Sequence, residues 1–189
     1  TGLTVVPAPT PFVPDVSAQK LDELLSDPGK YQEHAASFLM KLMYGQRISG
    51  PWLAVAVNRL SRQITKWSGE CDRRLHRLYQ FVAHIDGWCL EGSLAASDCS
   101  SAELHAWPDA DLNGDILSSK SSSGYFLQIT NGEPNTRSWP ISWGMQRQTS
   151  SSTTTQEAEV VSLAHCVKGE AVPVQILMSQ LLGRPIKLV

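Results

Sequence analysis

Leu104-His105-Ala106-Trp107-Pro108-Asp109-Ala110-Asp111 and Ser152-Thr153-Thr154-Thr155-Gln156-Glu157-Ala158-Glu159 frame the stretch that decides the fold. The first is a short apolar run that delivers a pair of aspartates, as a strand end does. The second is a run of hydroxyls that delivers a pair of glutamates into a helix start. Thr154-x-x-Glu157 fits a capping box, with Thr153-x-x-Gln156 as the other register. Between them, Tyr125-Phe126-Leu127-Gln128-Ile129-Thr130 reads as a strong strand, and Asn131-Gly132 as a turn after it. Residues 136–143 read as a weaker strand, which Pro140 demotes towards an edge or a bulge. The helix that starts at residue 155 is expected to end near Val167 or Lys168. A second helix covers 172–182, entered by way of Pro173 and left at Gly183, and residues 185–189 begin a last strand. Carboxylates on a strand end and in a helix start can meet in space. That is what a divalent-metal site needs: hard oxygen ligands from separate rigid elements.

Upstream the periodicity is helical. Residues 31–44 carry Ala35, Phe38, Leu39, Leu42 and Met43 at helical spacing, with Gly45 as a stop. Pro51 suits a first turn, and Leu53, Val57, Leu60 and Ile64 then line one face. Leu75, Leu78, Val82 and Ile85 make the stripe of a third helix, whose other side bears Arg73, Arg74 and Arg77. A solvated face is the plain reading of those arginines, and a phosphate-binding face the sharper one. Gly87-Trp88-Cys89-Leu90 reads as a short strand. Residues 91–101 are small, polar and acidic, so they read as a loop at a subdomain boundary. Residues 1–30 form a Pro-rich extended arm with Pro7, Pro9, Pro11 and Pro14, polyproline-like or disordered, with at best a short helix at 17–25.

The chain has 189 residues, 42% of them hydrophobic and 18% charged, enough to bury a core and too few charges for general disorder. Its net charge of −2 and pI of about 6.2 give no overall basic footprint, so any nucleic-acid contact must rest on local arginine and lysine or on metal. Cys71, Cys89, Cys99 and Cys166 lack the spacing of a zinc site. No signal peptide is visible at the Pro-rich start, and no apolar run reaches the length of a membrane span. The expectation is a reducing compartment and no membrane partner.

Together these pieces resemble the C-terminal part of a copia-type retrotransposon polyprotein, the end of reverse transcriptase followed by its ribonuclease H domain. The matching motifs are Asp109-Ala110-Asp111-Leu112-Asn113-Gly114-Asp115, Ser121-Ser122-Ser123-Gly124-Tyr125, Ser142-Trp143-Gly144-Met145-Gln146, and residues 151–159. Upstream, residues 31–90, notably Val57-Asn58-Arg59-Leu60-Ser61, resemble the family's helical connecting region. The resemblance implies an α/β, ribonuclease H-like mixed sheet over residues 102–189, unfinished at its fourth strand and preceded by the small helical subdomain. It implies hydrolysis of the RNA strand of an RNA–DNA hybrid by a pair of Mg2+ ions, with Mn2+ able to substitute. It assigns the first metal ligand and catalytic aspartate to Asp109 and the catalytic glutamate to Glu159, with Asp111 and Asp115 as secondary metal ligands. The implied partners are the hybrid and the rest of the retroelement polyprotein. The implied location is the cytoplasm or virus-like particles, without secretion. The departures are Pro108 inside a central strand, Leu112-Asn113 in place of an aromatic and a small residue, Ser122 in place of threonine, and the lack of the family's remaining carboxylates. The fragment is therefore expected to be inactive by itself.

Two other readings follow from the same residues. Asp109-x-Asp111-x-Asn113-Gly114-Asp115 matches the start of a calcium-binding loop running to Lys120, although Lys120 stands where a bidentate glutamate belongs. A non-catalytic retroelement remnant or interaction domain is the other.

Overall fold

The period of the apolar residues becomes a bundle of helices in the first half and a sheet with helices in the second. The structure, a computed structural model, describes residues 5–14, 16–115, 120–132 and 137–189, and the side chains of 113–115 lie outside that description. The chain divides into two compact units, Thr1–Cys89 and Leu90–Val189.

The first unit holds α1 (Ala18–Ser26), α2 (Ala35–Ile48), α3 (Ala54–Ser61) and α4 (Gly69–His84). Ser17 caps α1 by accepting from the Lys20 N–H, and Asp27-Pro28-Gly29 ends it. Gly29 sits at φ +79°, and a Cβ there would lie 2.7 Å from the Ser68 carbonyl oxygen. Leu39, Val57, Leu60, Leu75 and Leu78 are the buried centre of the unit. The helix expected over 51–64 is divided: a 3-10 turn at Pro51–Leu53, α3, and a second 3-10 turn at Ile64–Lys66. The strand expected at 87–90 does not form. Trp88 instead packs its ring edge-on against Trp52 and Phe81, at centroid distances of 5.7 and 6.3 Å.

The arm is neither free nor merely a linker. Residues 8–14 lie along α4: the Ala8 N–H donates to the Gln80 carbonyl (3.1 Å), Arg77 Nε to the Thr10 carbonyl (2.9 Å), and Arg73 Nη1 to the Pro14 carbonyl (2.9 Å). Ala8 is 3% exposed. The face expected to be solvated is thus strapped by the chain's own extended segment. Extended prolines leave backbone carbonyls unpaired and outward, and arginine forks take them.

The second unit is α/β. Strands β1 (Glu103–Asp115), β2 (Lys120–Thr130), β3 (Ser138–Arg147) and β4 (Lys187–Leu188) form one mixed sheet in the order β3-β2-β1-β4. β1 and β3 run antiparallel to β2, and β4 runs parallel to β1. Strand alternation sorts the side chains. Leu104 and Ala106 of β1 and Leu127 and Ile129 of β2 turn into a core with Cys166, Ala171 and Ile186. His105, Trp107, Asp109 and Asp111 therefore turn to the opposite face.

The two prolines are tolerated for identifiable reasons. Leu104 and Ala106 exchange hydrogen bonds with Val189, both at 2.9 Å, so even-numbered residues of β1 direct their backbone groups at the β4 side. Pro108 follows the same parity, and beyond Ala106 that side has no strand partner among the described residues. The missing N–H of Pro108 costs no ladder bond. Pro140 lies on the edge strand β3, beside a register shift between Leu127 and Gln128.

The two helices expected after residue 155 are one. α5 (Thr155–His165) passes through a π-helical turn (Cys166–Ala171) into α6 (Val172–Leu182), and Gly183 closes it at φ +65°. The wide turn carries the chain past Gly169 and Pro173, which read from sequence as a break. The continuous helix, Thr155–Leu182, is long and apolar enough by length and composition to cross a membrane, a length that a two-helix reading hides. Its stripe Ala158, Ser162, Cys166 and Ala171 is fully buried, and α5 packs on β1 and β2.

Two outcomes are expected in denaturation experiments. Leu127→Ala, at a fully buried position, should cost the second unit about 2–5 kcal/mol, whereas Pro108→Ala should cost about 1 kcal/mol or less. A large loss for Pro108→Ala in urea melts would mean that its nitrogen does not face an open edge. In the first unit, burial alone would raise the Glu70 pKa, but hydrogen bonds and charge from Arg73 and Arg74 hold it below its ordinary value of 4.5. The stability contributed by that lowered pKa is present above pH 4.5 and is lost as pH falls through the folded pKa. Acid melts of Glu70→Gln should lack that part of the loss.

Candidate functional site

The hydroxyl run builds the start of α5. Thr154 Oγ1 accepts from the Glu157 N–H (3.2 Å), and the Glu157 carboxylate accepts from the Thr153 N–H (2.7 Å) and Oγ1 (3.2 Å). Glu157 is thereby used in capping and is exposed. Glu159, two residues on, is half-buried.

A glutamine locks this helix end to the sheet. Gln148 is 3% exposed; its Nε2 donates to Ser123 Oγ and to the Ala158 carbonyl, both at 2.9 Å, and its Oε1 accepts from Ser152 Oγ at 3.0 Å. Sequence reading placed the motif's end at Gln146, which is exposed. The two share strand parity, and only the lock to Ala158, ten residues away, tells them apart.

One turn further along α5, Ser162 is fully buried and donates to the Asp109 carbonyl at 2.6 Å and to the Gly124 carbonyl at 3.3 Å. Asp109 and Gly124 are a cross-strand pair, so one hydroxyl pins the helix onto both central strands. Ala158, Ser162 and Cys166 set the buried line of α5, and the His165 ring leans towards Tyr125 of β2, 6.3 Å between centroids. At 100° per residue Glu159 lies on the opposite flank from His165, towards β1.

The predicted site residues can now be located. Asp109 and Asp111 are exposed on the sheet face away from α5, beside an edge of β1 that has no strand partner beyond Ala106 among the described residues. Helical spacing puts Glu159 on the β1 flank of α5. The backbones of these elements meet through Ser162, and the aspartates and Glu159 lie on opposite faces of the sheet. Asp115 belongs to β1, and its side chain lies outside the described residues. Among the described residues, no group of three or more His, Cys, Asp or Glu is arranged to hold a metal ion. Of the span in the calcium-loop reading, residues 109–115 are extended strand and not the start of a curled ligand loop, and residues 116–119 lie outside the described residues.

Other features went unseen in the sequence. Trp107, Phe126 and Trp143 are register partners across β1, β2 and β3 on the face away from α5. Phe126 stacks on Trp143 at 6.2 Å, and His105 on Trp107 at 6.2 Å. One aromatic in each of the three strand segments was the available signal. On the covered face, burial first and Glu170 second push the Cys166 thiol up, and burial raises Tyr125. A protonated, fully buried thiol is a packing group and not a nucleophile.

Over 127 residues, 67% of this chain and 82% of the other, the sequence is 28% identical to a protein of Plasmopara viticola named Secreted RxLR effector protein 161. No family model matches the chain, and no solved structure matches it. The expectation of a cytoplasmic or particle-borne, unsecreted protein is corrected by this likeness, because the similar protein is a secreted effector. That expectation leaned on the residues at which the sequence starts and on cysteine spacing, and neither fixes a compartment.

The lock at Gln148 is testable. Gln148→Ala leaves the Ser123 and Ser152 hydroxyls and the Ala158 carbonyl without this buried partner, and should cost about 1–3 kcal/mol. Faster amide exchange is expected in the first turns of α5, with that of α6 unchanged. Unaltered exchange at residues 155–159 would show that the cap alone holds the helix start.

Proposed function

We propose that the second unit is a ribonuclease H-like domain of the copia retrotransposon type. Its partner is an RNA–DNA hybrid, and in a parent polyprotein it serves metal-dependent hydrolysis of the RNA strand. The observation that carries this reading is the Ser162 hydroxyl on the Asp109–Gly124 pair. It seats α5, which bears Glu159, directly on the strand pair that contains Asp109, whose side chain turns to the other face of the sheet. The strand order, with β4 parallel to β1 after the helix, is compatible with the same reading.

The residues fit a divalent cation in part. Asp109, Glu159 and Asp111 are hard oxygen donors of the kind that Mg2+ or Mn2+ takes, with Asp115 as a further candidate. When bound, such ions activate a water and steady a leaving oxygen. A pair of ions roughly 4 Å apart repel each other strongly and need several carboxylates to hold them. Asp109 and Glu159 alone supply too little negative charge for that. The chain as it stands should therefore bind Mg2+ weakly and leave a hybrid uncut.

A second reading draws on a specific finding. The similar protein is named as a secreted effector and not as a nuclease, and a non-catalytic interaction domain on the same α/β scaffold is the reading that needs no metal site.

Gel-resolved cleavage of a labelled RNA–DNA hybrid, with Mg2+ and with Mn2+, separates these ideas when joined to metal titration of the chain and of Asp109→Asn. The expected result is weak metal binding that Asp109→Asn and Glu159→Gln each weaken further, and no cleavage above background. Cleavage that disappears in Asp109→Asn would show a fuller ligand set than this reading counts. Metal binding indifferent to both substitutions would leave the non-catalytic reading standing.

A further inference from the structure

The arginine stripe of α4 and the arm that covers it make a surface with a use of its own. Arg73, Arg74 and Arg77 lie together on the helix with Glu70, which is 4% exposed. Glu70 takes Arg73 Nε at 2.7 Å and Arg74 Nε at 2.8 Å. Among the described residues, one carboxylate against three guanidinium groups leaves the stripe with an excess of positive charge. Arg77 makes no ion pair among the described residues; its Nε and Nη2 are held by the carbonyl and hydroxyl of Thr10, at 2.9 and 3.2 Å. Arg73 spends its remaining Nη1 on the Pro14 carbonyl.

These are oxygens at the spacing a guanidinium fork accepts, but they carry no charge. A phosphodiester backbone offers the same acceptors with a negative charge on each unit, and charge-assisted bonds are the stronger. An uncharged segment therefore satisfies the arginines without neutralising them. Their field still reaches solvent while the arm covers Arg73 and Arg77, and Arg74 stands exposed beside them, 49% accessible. The long sequence separation, 67 residues between Thr10 and Arg77, means that the cover can leave without unwinding α4.

We propose that the Arg73–Arg74–Arg77 face of α4 binds the phosphate backbone of a nucleic-acid duplex, and that residues 8–14 cover Arg73 and Arg77 until the duplex displaces them. The proposal rests on reading the chain as a nucleic-acid-binding protein. It does not rest on the metal site.

The test is fluorescence anisotropy of a labelled RNA–DNA hybrid and of a plain DNA duplex, in EDTA so that metal at Asp109 plays no part. Three preparations are compared: the chain, Ala8→Gln, and the folded chain clipped at a protease site engineered after residue 14. Ala8→Gln puts a larger side chain at a buried seat and should unseat the arm. Circular dichroism checks that each preparation keeps its helices. The clipped chain should bind about tenfold tighter than the intact one. Its log affinity should fall more steeply with log salt, by about 0.9 for each arginine freed onto a phosphate. Arg77→Ala in the clipped chain should remove most of that gain. A clipped chain that binds neither duplex more tightly overturns the proposal, as does a gain that survives Arg77→Ala. Equal gains on hybrid and DNA support the proposal while counting against a hybrid-specific partner. The metal reading stands or falls separately, on the Asp109→Asn titration.

Discussion

The Ser162 hydroxyl, fully buried and bonded to the carbonyls of Asp109 and Gly124, is the contact on which the second unit depends. Those carbonyls already serve the ladder between β1 and β2, and a carbonyl oxygen has a second lone pair to give. A small hydroxyl is needed to reach them. A larger side chain would hold the helix away from the strands, and an apolar one would leave the oxygens half-satisfied in a dry interface. From this point the rest of the register follows. Ala158, one turn back, comes near enough for Gln148 to bond its carbonyl, and Cys166, one turn on, meets the core of Leu104 and Leu127. The π turn then continues the helix to the far end of the sheet, where Gln175 Nε2 reaches the Ile186 carbonyl at 2.8 Å and seats the approach to β4.

What the sequence revealed was what depends on near neighbours. The apolar stripe of α4, the alternation of β2 and the Thr154–Glu157 cap all arise within a few residues, so their patterns are local and readable. The docking of the arm was not legible because its partners lie 59 and 67 residues away, and nothing in a proline-rich stretch announces which arginines will hold it. The π turn was missed because a widened turn changes no composition, while Gly169 and Pro173 look locally like a stop. At the site, the capping use of Glu157 was legible from its spacing to Thr154. The exposure of Asp109 and Asp111 on the face away from α5 was not, since alternation fixes parity within a strand and does not tell which parity the helix will cover.

Pro108 shows how one local rule is decided by distant chain. A proline removes a donor wherever it stands, and the consequence depends on which neighbour that donor would have met. Among the described residues the pairing of β1 with β4 reaches Ala106, and the proline nitrogen two residues on meets no strand there. On the β2 side the ladder is carried by residues of the other parity, Asp109 among them, and stays whole.

That arrangement gives Asp109 two physical uses at one place. An unpaired strand edge invites pairing with another chain, and proline together with charged side chains is how such an edge is blunted. Asp109 and Asp111 flank this edge from one face, roughly 7 Å apart along the strand, and a strand that covered them would have to strip the hydration from each carboxylate. A charge of either sign would blunt the edge, because bringing an unpaired lysine into a dry strand pair is as costly as bringing an aspartate. Only a carboxylate is also a hard oxygen donor of the kind a divalent cation takes. Edge protection therefore accounts for charge at residue 109 but not for its sign, and a negative sign is what the metal site proposed above would require.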